Sequence, residues 1–316
     1  MKITVDIFSG FLGAGKTMLI KKLLLEGAYN KNTVIIENEF GEVSIDGEIL
    51  RESNIEVKEI NSGCICCQVS GKFDDAVLEV INKYKPESII IEPSGVAKLS
   101  EIINILTNIK FSHMIEIRNI FTLVDIRNYE SYMKNFKEFY LNQIKNADKI
   151  VLSRTQFESK EYVDEIIKSI RMHNSNAEII YRPWDELKAS DFMKKSSRTS
   201  KSSKIIKTIK NSSSKLKKEY KHTHNADGIF ESYPITMNKL MSADELKSKF
   251  KFMAQSHIYG RIIRAKGIIQ NDKGRYYQFD YVPAEFKIRE IKWSNKRVIS
   301  IIGSNLNKKS LNELFK

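Results

Sequence analysis

The chain has 316 residues, of which 41% are hydrophobic, and it carries a formal net charge of +13. This length suggests two domains, and no uninterrupted apolar run approaches the roughly 18 residues that a membrane span needs. All three cysteines fall within four residues, which excludes a disulfide framework spread over the chain. Because Met1-Lys2 leads straight into a predicted strand, we expect no signal peptide and a cytoplasmic protein without membrane association.

The first motif along the chain is a glycine-rich turn. Residues 10–17 read GFLGAGKT and fit the P-loop pattern, between a predicted strand, Ile3–Phe8, and a predicted helix, Met18–Leu25. At such a turn, backbone N–H groups and the positive end of the helix dipole favour phosphate. We expect Lys16 to reach the β- and γ-phosphates of a nucleotide and Thr17 to hold Mg²⁺. The predicted phosphate-binding residues are Gly10, Gly13, Ala14, Gly15, Lys16 and Thr17.

Strands and helices alternate from this motif to about residue 190. The further predicted strands are Thr33–Ile36, Ile55–Ile60, Ile89–Ile91, Ile120–Val124, Lys149–Leu152 and Glu178–Tyr181. The predicted helices between them are Lys72–Tyr84, Leu99–Leu106, Tyr129–Ile144 and Glu161–Ile170. This alternation predicts an α/β P-loop domain over residues 1–190, with a mostly parallel sheet flanked by helices.

Three cysteines, Cys64, Cys66 and Cys67, follow the third predicted strand. Thiolates are soft ligands, so we expect them to bind Zn²⁺ or another transition metal; a redox or packing role is the alternative. Three thiolates leave a tetrahedral site one ligand short. The nearest acidic candidates for that ligand, which otherwise form a solvated loop face, are Glu37, Glu39 and Glu42.

Glu92 ends an apolar strand downstream of the P-loop. P-loop enzymes place an acid near Mg²⁺ at this position, although an ordinary carboxylate at a strand end is the alternative. We expect the backbone of Ser94 and Gly95, which follow it, to approach the γ-phosphate. The predicted catalytic residues are therefore Lys16, Thr17 and Glu92.

Residues 191–224 are predicted to be a basic linker rich in serine and lysine. Residues 194–221 hold eleven lysines and arginines against one acid, Glu219, so most of the net charge lies here. This composition is typical of a solvated linker, and we therefore expect no nucleic-acid partner. The alternative is a basic tether for an acidic partner.

Residues 225–316 are predicted to form a smaller C-terminal α+β domain. Its predicted strands are Ile229–Met237, Ile262–Gln270, Tyr276–Tyr281 and Arg297–Ile302, the middle two joined as a hairpin by residues 271–274. Ser242 and Glu245 form a capping box for a helix through Met253, and a second helix covers Leu311–Phe315.

These motifs together resemble the CobW-type P-loop GTPases, metal chaperones related to the nickel-insertion GTPases of urease and hydrogenase. The resemblance covers nearly the whole chain outside the linker. The matching stretches are Gly10–Thr17, Glu37–Glu42, Ile45–Gly47, Gly63–Cys67, Glu92–Gly95, Val124–Asp125, Arg264–Gly267 and Gly303–Leu306. The resemblance implies GTP as the nucleotide and slow GTP hydrolysis coupled to delivery of a metal or metal cofactor to a client metalloprotein. A second copy of the chain, in a homodimer, is a further partner to consider.

The base-reading loop departs from the family pattern. The resemblance places the family's guanine-reading Asn-Lys-x-Asp at residues 153–156, which here comprise Ser153, Arg154, Thr155 and Gln156. Guanine offers two donors, N1–H and the 2-amino group, whereas an amide such as that of Gln156 has one acceptor oxygen. We therefore expect GTP to bind with weaker discrimination against other purines than an aspartate would give.

Two further departures concern the metal and the loop after Glu92. Pro93 stands where a small hydroxyl residue is common, and the family's histidine-rich tract is reduced to His222 and His224. These histidines are either metal ligands or polar residues at the edge of the linker. Two other functions stay open: a small-molecule kinase, in which the cysteines have no assigned role, and a non-enzymatic metal buffer or redox sensor.

Overall fold

Seven parallel strands form one sheet in the described part of the chain. The computed structural model describes residues 2–30, 32–37, 56–59, 70–194, 230–256, 258–283, 285–294 and 297–316. The strands of this sheet are β1 (Ile3–Gly10), β2 (Thr33–Glu37), β3 (Glu56–Glu59), β4 (Ser88–Glu92), β5 (Ile115–Asp125), β6 (Lys149–Ser153) and β7 (Glu178–Ile180). Their order is β3-β2-β4-β1-β5-β6-β7, and every pairing is parallel. The predicted α/β class is therefore confirmed.

Helices pack against the strands because the strands are apolar on both faces. Every residue of β2, β4 and β6 is buried, as expected for a parallel sheet covered on both sides. The helices are α1 (Lys16–Leu25), α2 (Ser70–Tyr84), α3 (Leu99–Leu106), α4 (Tyr129–Asn135), α5 (Lys137–Lys145), α6 (Lys160–His173) and α7 (Ala189–Met193). Among the residues that the structure describes, no helix is both long and apolar enough to cross a membrane.

The single helix predicted over Tyr129–Ile144 is wrong, because the chain breaks it into α4 and α5. Phe136 separates them with a φ of −132°, outside the helical range. Its ring lies 5.4 Å from the ring of Phe11, which belongs to the P-loop, and 5.1 Å from the ring of Phe230. Contacts with residues distant in sequence accompany this break, so helical spacing alone could not reveal it.

The second sheet is antiparallel and confirms the predicted α+β class of the C-terminal part. Its strands are β8 (Glu231–Thr236), β9 (Arg261–Gln270), β10 (Tyr276–Val282), β11 (Glu285–Ile291) and β12 (Val298–Ser304), in the order β11-β10-β9-β12-β8. Its helices are α8 (Ala243–Gln255), capped by Ser242, and α9 (Lys308–Phe315). The predicted hairpin of β9 and β10 is present. The sequence analysis missed β11, although Phe286 and Ile288 alternate with Lys287 and Arg289 in it.

An aromatic cluster joins the two sheets. Phe230, which directly precedes β8, packs its ring 5.9 Å from Phe11 and 5.3 Å from Phe139. Ile263 and Ile302 of the second sheet are buried in the same cluster. The proposed division at residues 190 and 225 stays a prediction, because residues 195–229 lie outside the described residues.

We expect Phe230→Ala to lower the free energy of unfolding by about 3–5 kcal/mol, because it leaves a cavity among packed aromatic rings. Phe230 is 1% exposed. Phe252→Ala is the matched control, since that ring is 54% exposed and its removal should cost less than about 1 kcal/mol. Denaturant unfolding of both variants measures the difference, and equal losses would contradict a joining role for Phe230.

Candidate functional site

The P-loop glycines adopt backbone conformations that few other residues tolerate. Gly13 and Gly15 have φ values of +72° and +99°, in the region that favours glycine. Gly15 is the N-cap of α1. Because glycine has no side chain, it makes no capping hydrogen bond to the amide groups of the first helical turn. The loop is therefore shaped to receive an anion between β1 and α1.

Lys16 folds back over this loop. Its side chain is buried, and Nζ donates to the carbonyl oxygens of Gly10 at 3.1 Å and Phe11 at 3.4 Å. These contacts hold the ammonium group inside the turn that the P-loop pattern assigns to phosphates. The arrangement agrees with the role predicted for Lys16.

Thr17 and Glu92 meet at the carboxyl edge of the sheet. The Thr17 hydroxyl lies 2.9 Å from Oε1 and 3.1 Å from Oε2 of Glu92, whose side chain is buried. A hydroxyl and a carboxylate are the hard oxygen ligands that Mg²⁺ prefers. Glu92 is in register with Glu37 of the neighbouring strand β2, which is also buried. The donor set at this point therefore fits a magnesium ion beside the phosphate loop.

The loop after Glu92 packs directly on the P-loop. A Cβ added to Gly95 would lie 2.6 Å from the backbone nitrogen of Leu12, so only glycine allows this approach. Gln143 holds the loop from behind, with Nε2 donating to the carbonyls of Gly95 and Ala97 at 3.1 Å each. Ser94 is buried beside it. The predicted Ser94–Gly95 backbone thus lies next to the phosphate loop.

The predicted transition-metal ligands lie mostly outside the described residues. These ligands are Cys64, Cys66, Cys67, Glu42, His222 and His224, together with the alternative Glu39. Of the candidates, the structure describes Glu37, at the carboxyl end of β2. Within the described ranges, no three His, Cys, Asp or Glu side chains come together as a metal site. The metal site therefore stays a prediction.

The predicted base-reading residues follow the end of β6, and their role in reading the base stays a prediction. Ser153 ends β6 and Arg154 has a φ of +65°, after which Gln156 lies exposed in a short 3-10 turn. Gln156 is absent from the wall of the cavity beside the P-loop. Arg154 lines that cavity, and its Nη1 lies 3.1 Å from Oδ2 of Asp125 while its Nε donates to Oε2 of Glu285 at 2.7 Å.

A cavity of about 620 Å³ lies between the P-loop and the second sheet. This volume is in the range of sites for small ligands and cofactors. One wall is formed by Gly13, Gly15, Lys16, Thr17, Met18, Glu92 and Arg154. The other wall comes from β9, β10 and β11, including Arg264, Asp280, Val282 and Glu285. Sequence reasoning missed this second wall, because contacts between distant segments leave no local pattern.

Asp125 is the buried centre of the contact between the sheets. It is 1% exposed, and it accepts from the backbone of Arg127 at 3.1 Å and from Nδ2 of Asn128 at 2.7 Å. Burial raises the pKa of Asp125 above its ordinary value, while Arg154 and the hydrogen bonds oppose the shift. The carboxylate is thus retained in the interior by specific partners.

We expect Arg154→Met to destabilise the fold by about 3 kcal/mol near neutral pH, because it leaves the buried Asp125 without its cation. Since the folded-state pKa of Asp125 is raised, its contribution to stability is present below the unfolded pKa and is lost as pH rises through the folded pKa. The variant raises that pKa further, so its deficit relative to the natural sequence should shrink as pH falls towards about 4.

Urea unfolding at several pH values measures that deficit. Arg275→Met is the control, because Arg275 pairs with Glu290 at 3.6 Å with both side chains more than half exposed, and such pairs contribute about 1 kcal/mol or less. A deficit for Arg154→Met that is independent of pH would contradict the role of Asp125.

Comparison with known proteins relates this chain to a protein family. The profile of the CobW/HypB/UreG nucleotide-binding domain matches residues 4–181. The chain is 33% identical over 163 residues to the zinc chaperone YjiA of Escherichia coli, covering 48% of this chain and 49% of YjiA. It is 25% identical over 324 residues to zinc-regulated GTPase metalloprotein activator 1 of Schizosaccharomyces pombe, covering 90% of this chain and 76% of that protein.

Among solved structures, the Zn(II)-bound YjiA GTPase from E. coli aligns with a TM-score of 0.44 at 18% identity, over 100% of this chain and 98% of that one. In the sequence alignments, the chain spans about half the length of the E. coli zinc chaperones YjiA and YeiR, at 49% and 54%. The family profile covers more than half of the present chain. The chain therefore belongs to the CobW/HypB/UreG family through its nucleotide-binding domain.

Proposed function

We propose that the protein is a GTP-hydrolysing metallochaperone that delivers a transition metal, or a metal cofactor, to a client metalloprotein. The observation that carries the proposal is the Thr17–Glu92 pair beside the buried Lys16, in the wall of a cavity large enough for a nucleotide. Relatives that bear the names zinc chaperone and zinc-regulated GTPase metalloprotein activator support it. We expect the protein to act in the cytoplasm.

The phosphate site would be formed by residues of this chain in distinct roles. The amides of the P-loop and the Lys16 ammonium would hold the β- and γ-phosphates, while the Thr17 hydroxyl and the Glu92 carboxylate would hold Mg²⁺. A bound Mg²⁺ ion would neutralise charge on the phosphate oxygens. The Ser94–Gly95 loop, packed against Leu12, would exclude bulk solvent from one side of the γ-phosphate.

The transition metal would be bound by Cys64, Cys66 and Cys67, with Glu37 or Glu42 as a fourth ligand and His222 and His224 as further candidates. The connection to the nucleotide is short, because β2 ends at Glu37, in register with Glu92. The stretch of chain that contains the three cysteines begins directly after Glu37 and ends at α2. We infer that a change in nucleotide state at Thr17 and Glu92 alters the metal ligands through this stretch.

We expect the purified protein to release inorganic phosphate from GTP slowly and only with Mg²⁺. Lys16→Ala should reduce the rate at least about 100-fold, because it removes the cation positioned at the transferred phosphate. Thr17→Ala should raise the Mg²⁺ concentration needed for activity. The measurement is phosphate release with and without added metal.

Lys22→Ala is the matched control on the same helix, since Lys22 forms a surface ion pair with Glu26, and this variant should keep the natural rate. Unchanged hydrolysis in Lys16→Ala would refute the phosphate site. A phosphorylated small molecule in place of free phosphate would indicate a kinase.

We expect the reduced protein to bind about one soft divalent ion through its three cysteines. Added Co²⁺ should produce a thiolate-to-metal charge-transfer band, and Cys66→Ser should weaken that band because it removes one thiolate. Absorbance titration, with and without GTP and Mg²⁺, measures both the stoichiometry and the coupling to nucleotide. The metal site is wrong if no band forms, or if Cys66→Ser gives a band of undiminished intensity.

A further inference from the structure

The end of β10 packs on the phosphate loop from the second sheet. A Cβ added to Gly13 would lie 2.2 Å from Cγ1 of Val282, so the Val282 side chain occupies space that only a glycine at position 13 leaves open. Asn128 donates through Nδ2 to the carbonyl of Pro283 at 3.4 Å. Glu285, the first residue of β11, accepts from Arg154. These contacts fix the position of Glu285 relative to the P-loop.

Three carboxylates of the described residues line the cavity, and their partners assign them to different parts of it. Glu92 accepts from Thr17 beside the P-loop, and Asp280 forms a two-point ion pair with Arg264, at 2.9 and 3.3 Å. Glu285 instead accepts from Arg154, which is the residue that directly follows β6. It is therefore the cavity carboxylate at the base-reading loop, where Gln156 is exposed and is not part of the wall.

One carboxylate oxygen of Glu285 can exchange its present partner for a ligand at a low cost in free energy. Burial alone would raise the pKa of Glu285, but Lys287 and Arg154 together hold it below its ordinary value, so the group is ionised. Arg154 contacts Oε2, whereas Lys287 contacts Oε1 at 2.8 Å with a side chain that is 68% exposed. Exposed ion pairs contribute little, so a ligand can replace Lys287 while Arg154 continues to orient the carboxylate.

We propose that Glu285, a residue of the second sheet, reads the purine base by accepting the N1–H and 2-amino donors of guanine. Arg154 keeps Oε2, so the released Oε1 of the ionised carboxylate accepts both donors through its two lone pairs. An amide would give its single oxygen to Arg154 and face the two donors with its NH2 group. This assignment rests on the proposed nucleotide site and adds that the site is complete only when both sheets contribute to it. Met18, which is 54% exposed in the opposite wall of the cavity, offers an apolar contact to the face of the base.

The test is the affinity of Glu285→Gln for GTP, ITP and XTP with Mg²⁺, measured by competition against a fluorescent GDP. The natural protein should bind GTP more tightly than ITP, which lacks the 2-amino group. The glutamine should weaken GTP about ten- to a hundred-fold, because one charged acceptor is lost and an amide donor faces a donor. The affinity for XTP should fall less than that for GTP, or rise, because the 2-oxo group of XTP accepts from that amide. The ratio of XTP affinity to GTP affinity should therefore rise at least about ten-fold.

Glu290→Gln is the matched control on the same strand, because Glu290 pairs with Arg275 at 3.6 Å and lies outside the cavity wall; it should leave all three affinities unchanged. A structural role for Glu285 would weaken the three nucleotides equally, and that result would overturn the assignment while leaving the proposed function intact. If the natural protein binds no triphosphate, and Lys16→Ala behaves identically, the proposed function fails together with the assignment.

Discussion

The parallel register of the first sheet is the constraint on which the arrangement of the site depends. In a parallel sheet all carboxyl ends lie at one edge, so residues far apart in sequence become neighbours without any local pattern to join them. Glu37 stands beside Glu92, and Asp125 stands beside Ser153. The P-loop follows β1, between β4 and β5 in the sheet. The phosphate loop and the strand-end side chains therefore share one face of the molecule.

The P-loop is held in this place by one of its own side chains. Phe11 is fully buried and its ring lies 4.5 Å from that of Tyr132 and 5.9 Å from that of Phe230. Offset and tilted ring pairs at these distances add stability beyond the area they bury. Because Phe230 leads into the second sheet, the P-loop and the entry to that sheet share a single apolar core. Movement of one would disturb the packing of the other.

Ion pairs of one arginine form the polar contact between the sheets, in addition to the apolar cluster. Arg154 lies between a buried carboxylate, Asp125, and a partly exposed one, Glu285. The apolar cluster joins the sheets through buried side chains, whereas the ion pairs fix the direction of the arginine relative to Asp125 and Glu285. Arg154 and Glu285 line the cavity between the sheets together with residues of the P-loop.

The sequence by itself determined the parts of this protein whose signals are local. The GFLGAGKT motif between an apolar strand and an amphipathic helix identified the phosphate loop, because its backbone geometry requires those glycines and its chemistry requires Lys16 and Thr17. The apolar run before Glu92 identified β4, because a parallel strand covered on both faces is mostly apolar. The alternation of such runs with helical spacing predicted the α/β class.

Only the tertiary structure decided how distant segments meet. The sequence around Phe136 does not indicate that its ring packs against Phe11 and Phe230 at the break in the predicted helix. Gln156, the residue predicted to face the base, lies exposed in the turn after β6, whereas Arg154 reaches Asp125 and Glu285. Local spacing specifies the conformation of a segment and the face that it buries. Which residue from another sheet lies opposite depends on packing over the whole chain, and no short stretch of sequence records it.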